Sequence, residues 1–458
     1  MRRHPFLIHA AALAVAVCIC AGAAPIIDPA KITDRTFDNG FRVVVKDEDQ
    51  WGLAAAALYV RAGSAQESED QIGAAHLLEH LLFEATDPRE DKRVGPAIES
   101  MGGYVNAMTT RDFTRIEVTV ASQYLPRAME LMAQTVFDPN ISPAAVTRER
   151  EIIARELTDR LDSAAGTIDD LVWTTAFARH PYGRPIGGMP EQVTTLTLDD
   201  LMGFYDRYYV PANMALIVVG DVEAEDVYAQ AQELFGTRES APAPDLAIEP
   251  EPEQTDVRVG AETRPSRALL LSYAWHAPEV EDFEDVCAMD LLYTILGEGQ
   301  FGRLHQSLNA EGLALMSNCD FLTQRDPGLV IITAMTVPDK ETQVRSQIIE
   351  EIERLRDEPL TEEALAEAKR VLRISYAFGN EAFSDQAGAL GFYEAIDEYD
   401  RAVDYIETIE GLTAEKLQEV ARKYLDPDAY TLAIIRPEAA PGEQEEAMAP
   451  CDAPSLAG

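Results

Sequence analysis

Apolar positions along the chain follow two periods that alternate in blocks. In Arg115-Ile-Glu-Val-Thr-Val120 every second residue is apolar, the spacing of a strand that buries one face. A helical period follows from about Leu125 to Phe137, Asp138-Pro139 breaks it, and a second helix is expected from about Ser142 to Leu161. The same order returns later: a strand in Gly328-Leu-Val-Ile-Ile-Thr-Ala-Met-Thr-Val337, a helix near Thr342 to Arg356, Glu358-Pro359, and a helix starting at Thr361. The two series also end alike. Phe204-Tyr-Asp-Arg-Tyr-Tyr-Val-Pro-Ala-Asn-Met-Ala-Leu-Ile-Val-Val219 and Val420-Ala-Arg-Lys-Tyr-Leu-Asp-Pro-Asp-Ala-Tyr-Thr-Leu-Ala-Ile-Ile435 both read as helix, proline turn and apolar strand. This repetition predicts an α+β chain of two structurally similar domains, each a mostly antiparallel sheet covered by helices.

A stretch rich in Pro, Glu and Ala between Gly236 and Gly260 has the composition of an exposed, partly extended linker. The expected division is therefore 32–236 for the first domain, 237–259 for the linker and 260–437 for the second domain, with a disordered tail over 438–458 where apolar periodicity stops. At the other end, Met1-Arg-Arg-His precedes an apolar run from Ala10 to Ala21 and the small residues Ala21-Gly-Ala23. Residues 1–23 read as a secretory signal, so the chain is expected to be periplasmic or secreted, with no membrane span. Cys287, Cys319 and Cys451 would remain, a sparse and odd set that argues against a disulfide framework and leaves at most one bridge open. Asp and Glu outnumber Lys and Arg by 80 to 38, a formal net charge of −42. Binding to nucleic acid or anionic lipid is disfavoured on electrostatic grounds; attraction of basic peptides into an acidic cavity is compatible with it.

The candidate chemistry sits in Gly73-Ala-Ala-His-Leu-Leu-Glu-His-Leu-Leu-Phe83. At about 3.6 residues per turn, His76, Glu79 and His80 share one helix face, so both imidazoles can hold one ion while the carboxylate reaches its water. Leu77, Leu78, Leu81, Leu82 and Phe83 supply a core face, and two ordinary histidines on an amphipathic helix are the plain alternative. HxxEH is the reverse of the HExxH zincin order, and the chain has only seven histidines to make such a pair by chance. A catalytic zinc site takes three protein ligands and an open position. Glu149, Glu151 and Glu156, all on the helix expected after Ser142, are candidates for the third. Glu149 and Glu156 lie seven residues apart on one face, whereas Glu151 points elsewhere. Aligning Ser142 with Thr361 sets Ala368 opposite Glu149 and Ser375 opposite Glu156, so the metal chemistry belongs to the first half alone.

These segments resemble the pitrilysin family of inverzincin metallopeptidases, which includes insulin-degrading enzyme and the mitochondrial processing peptidases. The resemblance spans nearly all of the chain after residue 23. It rests on Gly63-Ser64 ahead of the HxxEH segment, Gly102-Gly-Tyr-Val-Asn-Ala-Met-Thr109, Glu149 with Glu156, His180-Pro-Tyr-Gly-Arg-Pro185, and Tyr209-Val-Pro-Ala-Asn-Met214 leading to Gly220-Asp221. It implies one Zn2+ per chain held by His76, His80 and Glu156, with Glu149 supporting a ligand and Glu79 as general base. It makes Tyr104–Thr109 a substrate-binding edge strand, with Asn106 and Ala107 beside the scissile bond and peptide added as a further strand. It also implies a second substrate-holding pair in the metal-free half, an arginine and a tyrosine seven residues later; Tyr393 is present, but Gln386 stands where the arginine is expected. Family enzymes enclose substrate with four such domains, so a dimer is expected, and Gln386 favours an unlike pitrilysin-like partner over a homodimer. The function implied is an exported zinc endopeptidase acting on peptides in a closed chamber. A non-catalytic subunit of a peptidase assembly and a periplasmic peptide-binding protein are the alternatives.

Overall fold

The computed structural model describes residues 25–84, 94–139, 141–266 and 268–438. The signal expected at 1–23, and all of the expected tail after residue 438, lie outside the described residues. Among the described residues eleven strands form two sheets. The first contains β1 (Ile32–Thr36), β2 (Arg42–Asp47), β3 (Leu53–Val60), β4 (Tyr104–Thr109), β5 (Thr114–Ala121) and β6 (Met214–Gly220), in the order β1-β2-β6-β3-β5-β4. The second contains β7 (Arg258–Arg264), β8 (Leu269–His276), β9 (Met316–Phe321), β10 (Leu329–Thr336) and β11 (Thr431–Pro437), in the order β7-β11-β8-β10-β9. Leaving out β1, the two orders are the same. Each sheet has one parallel pair, β2 with β6 and β7 with β11, and is otherwise antiparallel.

Five helices place the site: α1 (Ala74–Glu84), α2 (Pro143–Asp162), α3 (Ala164–Ala176), α4 (Glu362–Phe378) and α5 (Phe383–Ile396). The alignment of α2 with α4 is visible in their caps. Ser142 Oγ accepts from the Ala145 N–H at 3.2 Å, and Thr361 Oγ1 accepts from the Ala364 N–H at 3.1 Å. Burial follows the same register: Glu149 and Ala368 are both buried, and Glu156 and Ser375 are both exposed.

The sheets are covered reciprocally. On one face of the first sheet, Val43, Val45, Ala54, Ala56, Leu58 and Val218 share one core with the buried leucines of α1 and of the helix Leu125–Phe137. On the other, Val44, Ala55, Ala57, Tyr59 and Ile217 join the core of the second half through α5. Gly391 permits that approach, since a β-carbon there would lie 2.1 Å from the Tyr59 ring. In return α3 lies on β7, β8 and β11, where Ile168, Val172 and Trp173 meet Leu270, Ala274, Ala433 and Ile435. Each half thus lends the other a helix. The linker is fastened as well: Glu251 accepts the backbone N–H groups of Ala178, Arg179 and His180 at 2.7, 2.9 and 2.9 Å.

Two α5 residues singled out from the sequence lie in the interior. Tyr393 is buried in the core between the halves, its ring against Phe283 and Phe392 and its hydroxyl meeting the Thr323 side chain. Gln386 is also buried. Its Oε1 accepts from Lys46 Nζ at 2.9 Å and its Nε2 donates to the Asn380 carbonyl at 3.0 Å. The Lys46 ammonium already stands there, and a guanidinium at residue 386 would set like charges together with little water to screen them. Cys287 and Cys319 are buried free thiols. Among the described residues no helix is long and apolar enough to cross a membrane.

Candidate metal centre

α1 begins where Gly73 takes a φ of +90°, a conformation that glycine adopts without strain, and its carbonyl side packs so closely that a β-carbon would sit 2.7 Å from the Gly187 oxygen. A carboxylate caps the helix start: Glu67 accepts the Gly73 N–H at 2.9 Å through one oxygen and the Ala75 N–H at 2.8 Å through the other. Leu77, Leu78, Leu81 and Leu82 are buried, at about 1.5–3 kcal/mol each, and hold the helix against the sheet. The opposite face carries the histidines.

That face meets α2. His76 Nε2 lies 4.0 Å from Glu156 Oε1, His80 Nε2 lies 3.8 Å from Glu156 Oε2, and one ligand atom from each residue falls within 4.8 Å of the others. These separations exceed those between donors on one ion, so the three side chains would draw together on binding it. The donor types, two imidazole nitrogens and a carboxylate, are those of a catalytic zinc site. Burial, and then the charge of His80, push the His76 pKa down to about 4, which leaves that imidazole neutral with a free lone pair at neutral pH. Behind His80, Glu149 is buried with Oε2 3.9 Å from His80 Nδ1, and its other oxygen accepts from Arg148 Nε at 2.9 Å. Glu151 is exposed and outside the group.

Glu79 shares the histidine face. Burial raises its pKa above the ordinary 4.5, and the hydroxyl of Thr109, which donates to Glu79 Oε2 at 2.6 Å, pulls the other way. Thr109 ends β4, the outermost strand of the first sheet, whose outer edge pairs with no other strand of that sheet. Successive side chains on β4 point to opposite faces, so Ala107 shares the Thr109 face. Asn106 faces away from it, over Glu117 on β5. On that far side a cavity of about 740 Å³ is lined by Tyr104, Arg115 and Glu117 of the first half and by Asp290, Glu298 and Asp385 of the second.

Residues 42–189 match the family model described as insulinase, peptidase family M16, and residues 195–372 match the model described as the peptidase M16 inactive domain. The chain belongs to peptidase family M16, the pitrilysin family. The second M16 model begins late in the first half and runs into the half in which Ala368 stands opposite Glu149. An uncharacterized zinc protease of Mycobacterium leprae is 28% identical over 428 residues, covering 90% of this chain and 93% of its own. Among solved M16-like structures, a protease from Helicobacter pylori matches with a TM-score of 0.84 at 24% identity, over 89% of this chain and 100% of that one. The first half of the periplasmic protease PqqL from Escherichia coli matches with a TM-score of 0.71 at 17% identity, over 89% and 92%.

Two contributors to the M16 site were not singled out from sequence. Thr109 reads from sequence only as the end of an edge strand, and Glu67 is one acid among Glu67-Ser-Glu-Asp70, with nothing local to mark it. Glu67→Gln is expected to destabilise the fold by about 1–3 kcal/mol, because an amide offers one acceptor oxygen where two backbone N–H groups need one each. Chemical denaturation of the metal-free protein measures this, and an unchanged midpoint would show that the cap is dispensable.

Proposed function

We propose that this chain is an exported, zinc-dependent endopeptidase. The observation that carries the proposal is the convergence of His76 Nε2, His80 Nε2 and the Glu156 carboxylate, with Glu79 on the same helix face. Zinc bound there would polarise a peptide carbonyl and lower the pKa of water. The protein groups do the rest. Glu149 orients His80 through Nδ1. The Glu79 carboxylate accepts the proton of the attacking water and returns it to the leaving amine. Backbone groups of β4 bind an extended peptide as an added strand, a mode indifferent to sequence, with Asn106 and Ala107 flanking it on opposite sides.

Export rests on the charged start and apolar run of residues 1–23, and agrees with the periplasmic description of the PqqL neighbour. A chamber closed by a second M16 chain is part of the proposal, by analogy with four-domain family enzymes. Gln386 is occupied inside its own chain, so it no longer favours an unlike partner over a like one. The test is direct: the purified protein should carry one zinc per chain and cleave an internally quenched peptide, and a chelator should abolish cleavage. Cleavage that survives complete removal of metal would overturn the proposal, and light scattering of the native protein reports the dimer.

The pH profile should show the Glu79 environment. A general base works ionised, so kcat/KM falls as pH drops through its pKa, and burial sets that acid limb above the ordinary 4.5. The Thr109 hydroxyl favours the charged form. Thr109→Val should therefore move the acid limb to higher pH, and a limb that stays in place or moves down would contradict the hydrogen bond's role.

A further inference from the structure

The segment most closely applied to the ligand set from outside it is a strap, residues 178–188, that crosses the start of α1. It is fastened at its beginning by Glu251 of the linker, which takes the N–H groups of Ala178, Arg179 and His180. In its middle, Arg184 donates to the Glu67 carbonyl at 2.9 Å, and the Glu67 side chain caps α1. Its end is wedged between the two ligand helices. A β-carbon built on Gly187 would lie 2.9 Å from His76 Nδ1 and 2.9 Å from Leu157 Cδ2, and Leu157 directly follows Glu156.

His76 differs from His80 at this point. His80 has the Glu149 carboxylate behind Nδ1, whereas among the described residues His76 Nδ1 is buried without a hydrogen-bond partner. Packing, rather than a hydrogen bond, must hold the His76 ring with Nε2 toward Glu156. The backbone of Gly187 is the surface it packs on.

We propose that Gly187 is a positioning residue for the metal site: its lack of a side chain seats the strap against the His76 imidazole and sets how tightly the zinc is held. The inference rests on the zinc reading of His76, His80 and Glu156. The helix start cannot yield easily, because Glu67 caps it and the Gly187 carbonyl packs on Gly73. An added methyl must therefore turn the imidazole or displace the end of the Leu157 side chain, and turning the imidazole opens the space between His76 and Glu156. Groups that orient a metal ligand are worth about 10–100-fold in affinity.

The test compares full-length wild type, Gly187→Ala and Gly183→Ala. Gly183 lies in the same strap, and its β-carbon would meet Phe177 Cβ at 2.9 Å, so that variant strains the strap away from His76. Zinc affinity is measured by competition with a chromophoric chelator, ligand geometry by the visible spectrum of the cobalt(II) form, and stability by melting of the metal-free proteins. Gly187→Ala should bind zinc about 10–100-fold more weakly and shift the cobalt bands. Gly183→Ala should melt earlier yet bind zinc as wild type does. Unchanged affinity in Gly187→Ala, or equal losses in both variants, overturns the proposal. If Gly187→Ala does not fold, the double variant with Leu157→Ala gives the methyl room on the helix side. Its zinc affinity should fall below that of Leu157→Ala alone, and equality overturns the proposal. A wild-type protein that binds no zinc is a separate result, and removes the zinc reading itself.

Discussion

Glu79→Gln is expected to retain one zinc per chain and to lose about 10²–10⁴-fold in peptide cleavage, the share that a positioned general base contributes. Glutamine matches glutamate in shape, and its amide oxygen can still accept from Thr109, the partner of Glu79 Oε2. The side chain therefore stays in place, and what disappears is a group that can take a proton. Glu79 is not among the three residues whose ligand atoms converge, so metal content should not change. His76→Ala and Glu156→Ala should differ from it by losing the metal together with activity. Metal analysis and turnover of a quenched peptide on the same preparations separate the two classes, and near wild-type cleavage by Glu79→Gln would sink the assignment of Glu79 as base.

The local parts of this site were legible because local spacing dictates them. His76, Glu79 and His80 share a face in any α-helix, and the seven-residue step from Glu149 to Glu156 puts both on one side of α2 whatever packs beside it. β5 announces itself by strict alternation, matched by its alternating burial, and the helix Leu125–Phe137 ends where expected. β3 does not. From Ala54 to Val60 the strand Leu53-Ala-Ala-Ala-Ala-Leu-Tyr-Val60 is buried on both faces, so it shows no alternation, and small residues poor in strand propensity fill it because α5 presses on one side.

Residues whose roles depend on distant segments were not legible. Phe383–Ile396 buries Gln386 and Glu394 along with its apolar residues, so no polar stripe marks an outward face. Tyr393, which the resemblance offers to substrate, packs in the core between the halves. The face of Asn106 depends on the phase of β4, and that phase is set by the Thr109 bond to Glu79, a contact across thirty residues of sequence.

Glu394→Ala should destabilise the protein by about 3 kcal/mol, the lower end of the range for removing one partner of a buried ion pair. Glu394 is 1% exposed on α5, and its Oε1 meets both the Arg61 guanidinium and Arg42 Nε, the latter at 3.1 Å. Both arginines belong to the first half, so this carboxylate is the charge that fastens α5 onto the first sheet. Truncation leaves two cations facing each other across a largely dry interface. Their side chains keep 28% and 29% exposure, which allows some hydration and holds the loss to the lower end. Glu394→Gln, which keeps an acceptor for Arg61, should lose less. Because α5 covers the first sheet while α3 covers the second, the loss should appear as one cooperative transition at lower denaturant rather than as early release of one half. Two separated transitions would show that the exchanged helices do not couple the halves, and a midpoint equal to wild type would show that the arginines find water instead of needing Glu394.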